Sequence, residues 1–163
     1  DKASWHHAYM HRYEVRMEGI HVRSVLEIGV DVGNSLRAWS EIWPDARVVG
    51  VDHRPECAKW ATDRIEILIG DATDSDSIGS LLDQTWDLIV DDGSHQFPDQ
   101  KITAELLIPS LAPGGCYIIE DVPWNVDLIA DVEAVLADQG LWPVSVLRSG
   151  ALEHAALLAR ARP

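Results

Sequence analysis

Two short acidic motifs contain the residues best suited to chemistry in this chain. Asp91 and Asp92 open the sequence DDGSH, and Glu120 and Asp121 close the sequence CYIIED. Both pairs follow apolar runs typical of buried parallel strands, so their carboxylates should meet at one edge of a sheet. Such crowding requires a cation, protonation or hydrogen bonds, and oxygen ligands suit magnesium, calcium or manganese better than zinc. Taken alone, each pair is equally compatible with a polar turn or a helix cap.

His95 closes the DDGSH motif, three residues after Asp92. Histidine titrates near neutral pH, so it can act as a general base beside a cation and a reactive group. A lone histidine is more often a structural or exposed residue, and the spacing by itself leaves both interpretations open.

A glycine turn follows the first predicted strand, in the sequence LEIGVDVGNS. Glu27, Gly29 and Gly33 form the pattern E-x-G-x-x-x-G, which differs from the G-x-G-x-x-G fingerprint of dinucleotide-binding proteins. Asp31 stands where the middle glycine of that fingerprint would lie, and a carboxylate there is unfavourable beside a pyrophosphate. The turn therefore favours S-adenosylmethionine, which carries a sulfonium and an amino group, although a turn without a ligand would use the same glycines.

Two further aspartates follow the next two predicted strands. Asp52 lies about twenty residues beyond the glycine turn, where a carboxylate can accept hydrogen bonds from both hydroxyls of a ribose. Asp71 lies in GDATD and could face an adenine amino group. Because Asp74 and Asp76 follow it closely, a solvated acidic loop is an equal alternative for Asp71.

The elements that must position these residues alternate between strand and helix patterns. Apolar runs predict strands over residues 24–29, 47–52, 65–71, 86–92 and 116–121. Helical periodicity lies between them in NSLRAWSEIWP, PDQKITAELLIPSL and VDLIADVEAVLADQG, with Asn34 or Ser35 as the N-cap of the first helix and Gly140 closing the last. Two strand-like runs, in WPVSVLRSG and EHAALLARA, predict an antiparallel hairpin. The pattern predicts an α/β, Rossmann-like, doubly wound sheet of roughly seven strands, parallel except for one strand near an edge.

The composition excludes several classes of protein. The chain has 163 residues and a net charge of −14, which opposes binding to nucleic acid or to an anionic membrane surface. Its length suits one domain over residues 1–163. With only two cysteines and no long apolar run, a cytoplasmic setting is expected. Because the first residue is Asp, the native chain could extend further.

Together these motifs resemble the class I S-adenosylmethionine-dependent methyltransferases. DDGSH followed by LAPGGCYIIEDV, with DK and HHAYMHRYE near the start, is similar to the metal-dependent sugar O-methyltransferases of macrolide biosynthesis and their cephalosporin-hydroxylase-like relatives. The resemblance implies methylation of a hydroxyl on a small metabolite, glycosylated in those relatives, with S-adenosylmethionine and magnesium as cofactors. It implies that Asp92, Glu120 and Asp121 bind the metal. It also implies that Asp91 faces the amino group of the cofactor and that His95 is the base.

Residues 1–20 are rich in histidine and aromatic side chains. A lid over the cofactor is one interpretation, with contacts from His6, His7, Tyr9, His11 and Tyr13, and a helix packed on the sheet edge is the other. Trp124 is a candidate wall for a sugar ring. Because the macrolide-sugar enzymes are longer, neither a macrolide acceptor nor their oligomeric state carries over.

Three other functions remain open. The first is a nucleotide-dependent oxidoreductase, which the glycine spacing and the terminal hairpin oppose. The second is a non-catalytic cofactor-binding or assembly subunit whose acidic surface recruits a partner. The third is an oxygenase, suggested by the cephalosporin-hydroxylase name, but the sequence shows no convincing iron triad of two histidines and one carboxylate.

Overall fold

The computed structural model describes Tyr13, Met17 and residues 21–123, 125–141, 144–148 and 154–161. Most of the proposed lid therefore lies outside the described residues, including His6, His7, Tyr9 and His11, and so does Trp124. Within the described ranges, no helix has the length and apolar character needed to cross a membrane.

A single sheet forms the centre of the fold. Its strands are β1 (Ser24–Ile28), β2 (Arg47–Asp52), β3 (Ile65–Ile69), β4 (Trp86–Asp91), β5 (Leu111–Pro123), β6 (Val144–Arg148) and β7 (His154–Arg160). Their order across the seven-stranded sheet is β3-β2-β1-β4-β5-β7-β6. Strands β1 to β5 pair in parallel, and β7 is antiparallel to both β5 and β6. The predicted Rossmann-like α/β class is confirmed, with a mostly parallel sheet and an antiparallel C-terminal pair.

Helices cover both faces of this sheet. They are α1 (Asn34–Ile42), α2 (Gly79–Leu82), α3 (Phe97–Leu107) and α4 (Val126–Asp138), with short 3-10 segments at Pro55–Trp60 and Ile108–Ser110. Val25 packs with Leu36 and Trp39 on the α1 face, whereas the next residue, Leu26, packs with Leu107 on the opposite face. The alternation follows from the two-residue period of a strand and gives the sheet a core on each side.

Several predicted boundaries shift. Strands β1, β3 and β4 end one or two residues before the predicted ends, and at β1 the reason is Gly29, whose φ of 90° takes the backbone out of the strand. Strand β5 begins at Leu111 instead of residue 116, because Leu111 already pairs with Trp86.

The predicted N-cap of α1 is wrong. Gly33 holds that position with a φ of 69°, and no side chain caps the helix. The Ser35 hydroxyl donates to Glu27, and Asn34 accepts a hydrogen bond from Arg37, so both side chains have other partners. The predicted closure of the last helix by Gly140 agrees with its φ of 82° just beyond α4.

Candidate active site

A cavity of about 760 Å³ opens at the carboxyl ends of the central strands. This volume lies within the range of about 300–1,000 Å³ that small-molecule sites usually have. Most of the predicted site residues line it, namely Gly29, Asp52, Asp71, Asp91, Asp92, His95, Glu120 and Asp121. The cavity therefore joins the predicted cofactor residues to the predicted metal and catalytic residues, while Glu27 and Gly33 lie outside its wall.

Gly29 brings the turn after β1 into direct contact with the loop after β4. A Cβ on Gly29 would lie 2.1 Å from the carbonyl oxygen of Asp92, and the backbone φ of Gly29 is 90°. The Asp92 amide also donates to the Ile28 carbonyl at 2.9 Å. Because only glycine fits this contact, the residue allows the turn after β1 to lie directly against the loop after β4.

Glu27 supports the glycine turn from beneath instead of lining the cavity. Its side chain is fully buried and accepts hydrogen bonds from the Ser35 hydroxyl and the Trp39 indole. Gly33 is covered by the Trp60 side chain, whose ring atom Cγ a Cβ on Gly33 would meet at 3.1 Å. Both residues shape the turn, and neither position favours direct contact with a ligand in the cavity.

Asp52 is the most heavily hydrogen-bonded carboxylate of the site. Its Oδ2 accepts from the backbone amides of Val30 at 3.0 Å and Asp31 at 3.3 Å. Its Oδ1 accepts from the Arg54 amide at 2.9 Å, and the Arg54 guanidinium contacts both oxygens. Burial alone would raise the pKa of Asp52, but the bonds from Arg54, Val30 and Asp31 hold it below its usual value. Asp52 is therefore a fixed, ionised acceptor next to the glycine turn.

Asp71 lies beyond the end of β3, where its loop reaches the cavity. Its Oδ1 accepts from the Thr73 amide at 2.8 Å and from the Thr73 hydroxyl at 2.7 Å. These bonds lower the pKa of Asp71. The side chain is exposed, so the structure retains features of both interpretations: an aspartate in a polar turn and a residue at the cavity wall.

Asp91 is a buried carboxylate with unused hydrogen-bonding capacity. Its Oδ1 accepts from the Gly93 amide at 3.3 Å, whereas its Oδ2 has no hydrogen-bond partner in the described part of the chain. Burial raises the pKa of Asp91 to about 7. A buried acceptor without a partner is costly, so a ligand that carries an amino group fits this position.

Asp92, His95 and Asp121 meet in the wall of the same cavity. One ligand atom from each lies within 4.8 Å of the others, a spacing that allows a shared metal ion. His95 Nε2 is 3.4 Å from Asp92 Oδ1, and His95 Nδ1 is 3.7 Å from Asp121 Oδ2. The hydrogen bond to Asp92 raises the pKa of His95, against the opposing effect of burial. The histidine is thus positioned between two carboxylates, as either a base or a ligand.

Glu120, the third predicted metal ligand, lines the same cavity but is not one of the three residues whose ligand atoms lie within 4.8 Å of one another, and it has a partner of its own. Its Oε1 accepts a hydrogen bond from the Tyr13 hydroxyl at 2.8 Å. The register of β5 against β7 shifts between Ile119 and Val122, and Asp121 has a φ of 52°. This bulge breaks the alternation of the strand, so consecutive acidic side chains, those of Glu120 and Asp121, both reach the cavity.

Sequence reasoning missed two participants. Arg54 carries no motif that would mark it as the partner of Asp52, although its position two residues later allows the contact. The pairing of Ser94 with Asp99, 2.6 Å apart in the cavity wall beside His95, was also missed. Its only signal is the position of Ser94 within DDGSH.

Comparison with known families identifies the class of protein. Residues 26–122 match the model of a methyltransferase domain family, and the chain belongs to that family. The match extends from β1 to β5 and so includes every strand that borders the cavity. It favours the methyltransferase interpretation over the nucleotide-dependent oxidoreductase that the sequence left open.

The curated relatives are named as O-methyltransferases. One, from Streptomyces olivaceus, is 8-demethyl-8-(2-methoxy-alpha-L-rhamnosyl)-tetracenomycin-C 3'-O-methyltransferase, 33% identical over 60% of this chain and 27% of that enzyme. Another, mycinamicin VI 2''-O-methyltransferase from Micromonospora griseorubida, is 32% identical over the same shares, 60% and 27%. The matched part of the chain therefore covers only about a quarter of the length of these relatives.

Solved structures show the same fold. The MycE methyltransferase of the mycinamycin pathway, in complex with Mg and SAH, has a TM-score of 0.79 at 22% identity, covering 99% of this chain and 52% of that one. An O-methyltransferase family protein from Burkholderia thailandensis has a TM-score of 0.71 at 16% identity, covering 96% and 57%. At these identities the comparison supports the architecture alone.

Proposed function

We propose that the chain is the catalytic domain of an S-adenosylmethionine-dependent O-methyltransferase that acts on a hydroxyl of a small, sugar-bearing metabolite with the help of magnesium. One observation carries this proposal: a single cavity is lined both by the glycine turn with Asp52 and by the group of Asp92, His95 and Asp121. Methyl transfer requires the methyl donor and the acceptor to be in contact, and one shared cavity allows that contact.

The part of the cavity wall that contains Gly29 and Asp52 suits the cofactor. The backbone at Gly29 allows a close approach, and Asp52 offers an ionised carboxylate to the ribose hydroxyls. Asp71 reaches the wall where the adenine would lie. Asp91 supplies a buried oxygen that has no partner among the described residues and that an amino group would satisfy. The cofactor amino group would also favour the ionised form of this carboxylate, since an adjacent positive charge lowers a carboxyl pKa.

The part of the cavity wall that contains Asp92, His95 and Asp121 suits a divalent cation. Carboxylate oxygens of Asp92 and Asp121 are the donors that magnesium prefers, whereas imidazole better suits transition metals. This donor preference supports Asp92 and Asp121 as ligands, Glu120 as a third ligand, and His95 as the base. A divalent cation, when bound, supplies the Lewis acidity that lowers the pKa of an acceptor hydroxyl.

The reaction then requires little more from the protein than placement and one proton transfer. His95 would take the proton of the acceptor hydroxyl on a ring nitrogen. S-adenosylmethionine, when bound, would supply the methyl group, and its transfer to the acceptor oxygen would form a carbon–oxygen bond as the carbon–sulfur bond breaks and the sulfur becomes neutral. Holding the two reactants in contact can account for about 7–11 kcal/mol of the barrier.

The proposal of a sugar-bearing acceptor rests on the relatives. Their names specify methylation at positions 2', 3' and 2'' of glycosylated natural products. The acidic wall around His95, which includes Asp92, Asp99 and Asp121, is compatible with an acceptor that offers hydroxyl donors. A small-molecule partner, rather than nucleic acid or a membrane, is also consistent with the net charge of −14.

Two measurements test the proposal in sequence. Isothermal titration calorimetry with S-adenosylmethionine and with S-adenosylhomocysteine should show binding, and Asp52→Ala should weaken it. Incubation with methyl-labelled cofactor, magnesium and a panel of rhamnosides should then give a labelled O-methyl product. An intact folded sample that binds neither form of the cofactor would refute the assignment, whereas binding without transfer to any acceptor would favour the non-catalytic subunit.

A further inference from the structure

One hydrogen bond connects the N-terminal part of the chain to Glu120, an acidic residue of the cavity wall. The Tyr13 hydroxyl donates to Glu120 Oε1 at 2.8 Å, across 107 positions of sequence. Tyr13 is 1% exposed and Glu120 is 2% exposed. Because water has little access, this bond to a carboxylate is stronger than the same bond at a surface.

Tyr13 is held in place by packing in the hydrophobic core and does not line the cavity. Its ring packs in the cluster on the α1 face, which also contains Met17 and Trp39. The centroids of the Tyr13 and Trp39 rings are 6.4 Å apart, and the Trp39 indole donates to Glu27 beneath the glycine turn. The hydroxyl is therefore presented to Glu120 by a well-packed side chain.

Glu120 is also held through its backbone. The Gln100 side chain, on α3, donates from Nε2 to the Glu120 carbonyl oxygen at 3.1 Å. The residue is thus fixed by a backbone contact from α3 and by a side-chain contact from Tyr13. The bond from Tyr13 acts on the carboxylate itself, so it contributes to the orientation of that group.

We propose that Tyr13 is a positioning residue that holds the Glu120 carboxylate in the orientation required to bind the divalent cation, an inference that rests on the function proposed above. Carboxylates that bind metals are themselves commonly held by hydrogen bonds, and loss of such a partner typically weakens metal affinity by about 10–100-fold. The role differs from that of a lid, because Tyr13 acts through Glu120 and its own contacts are with the core.

The test measures metal binding without turnover. Mn²⁺ is titrated into the full chain, and the free ion is followed by electron paramagnetic resonance. Tyr13→Phe removes only the hydroxyl and keeps the buried ring, so the fold should persist. Its dissociation constant for Mn²⁺ should rise by about 10–100-fold, while the affinity for S-adenosylhomocysteine stays unchanged. Met17→Leu, a conservative change in the same cluster, should leave both affinities unchanged.

A double-mutant cycle then tests whether Tyr13 acts through Glu120. Glu120→Gln should weaken Mn²⁺ binding, and adding Tyr13→Phe to that variant should have no further effect. If wild type binds Mn²⁺ and Tyr13→Phe binds it equally well, the inference is wrong and the proposed metal site stands. If wild type does not bind Mn²⁺, the metal site and this inference both fail, and methyl transfer in the presence of chelator still tests the remaining function.

Discussion

Arg54 forms a two-pronged ion pair with Asp52 in the wall of the cavity. Arg54 Nε lies 3.0 Å from Oδ1, and Arg54 Nη2 lies 3.0 Å from Oδ2. The same two oxygens are proposed to accept the hydroxyls of the ribose. A carboxylate has about four lone-pair positions, so the guanidinium and the ribose compete for them.

Arg54→Ala should therefore tighten binding of S-adenosylhomocysteine. The Arg54 side chain is partly exposed, and ion pairs of this kind contribute about 0.2–1 kcal/mol, so the gain in affinity should be at most about fivefold. Calorimetry measures it, with Lys59→Ala as a control that removes a nearby positive charge and leaves the pair of Arg54 and Asp52 intact. Weaker binding by Arg54→Ala would mean that the guanidinium assists the cofactor instead of competing with it.

Asp52→Asn should destabilise the fold in a pH-dependent manner. The neutral amide lacks the negative charge of the carboxylate that accepts hydrogen bonds from Val30, Asp31 and Arg54. The expected loss in the free energy of unfolding is about 1–3 kcal/mol near pH 7. The pKa of Asp52 is lowered in the folded state, so its contribution is complete above the unfolded-state pKa of about 3.9 and is lost as the pH falls below it. Urea denaturation at pH 7 and at pH 3 should show a smaller difference between the proteins at pH 3. An equal difference at both would contradict this account.

His95→Ala separates the two roles that its position allows. As a base, His95 should contribute about 10²–10⁴-fold to turnover and little to metal affinity. As a ligand beside Asp92 and Asp121, it should contribute strongly to metal affinity. We expect a large loss of turnover with an unchanged dissociation constant for Mn²⁺. A parallel loss of Mn²⁺ binding would reassign His95 to the metal site.

Asp92→Ala should abolish magnesium-dependent methyl transfer while leaving cofactor affinity intact. The side chain belongs, with those of His95 and Asp121, to the group that would hold the proposed cation. Turnover against magnesium concentration and calorimetry with S-adenosylhomocysteine measure the two effects. Glu105→Ala, which removes an exposed carboxylate of α3, provides the control, and undiminished wild-type turnover in excess chelator would exclude a metal role.

Gly29→Ala should disturb both the turn after β1 and the loop after β4 that contains Asp92. The new Cβ would meet the Asp92 carbonyl oxygen at 2.1 Å, and the φ of 90° adds strain. Gly140→Ala is a matched control, because its φ is 82° and a Cβ there meets nothing within 4 Å. The control should lose only the cost of the backbone conformation, about 1–2 kcal/mol. Gly29→Ala should lose more stability and also cofactor binding, as measured by thermal unfolding with and without S-adenosylhomocysteine.

The sequence by itself determined the architecture and the location of the chemistry. Strand and helix periods are local, so β1, β2 and β4 could be predicted to within one or two residues. Parallel strands end at the same edge of a sheet, which is why the strand pattern alone was enough to predict that Asp91, Asp92, Glu120 and Asp121 lie in one region, and all four line the cavity.

Only the tertiary structure decided which side chains contact one another at that edge. The burial of Glu27 away from the cavity depends on packing against Trp39, and the convergence of Glu120 and Asp121 depends on a register shift between β5 and β7. The bond from Tyr13 to Glu120 joins segments that are 107 residues apart. Contacts of this kind carry no local signal, because they arise from register, bulges and packing between elements that the chain brings together only when it folds.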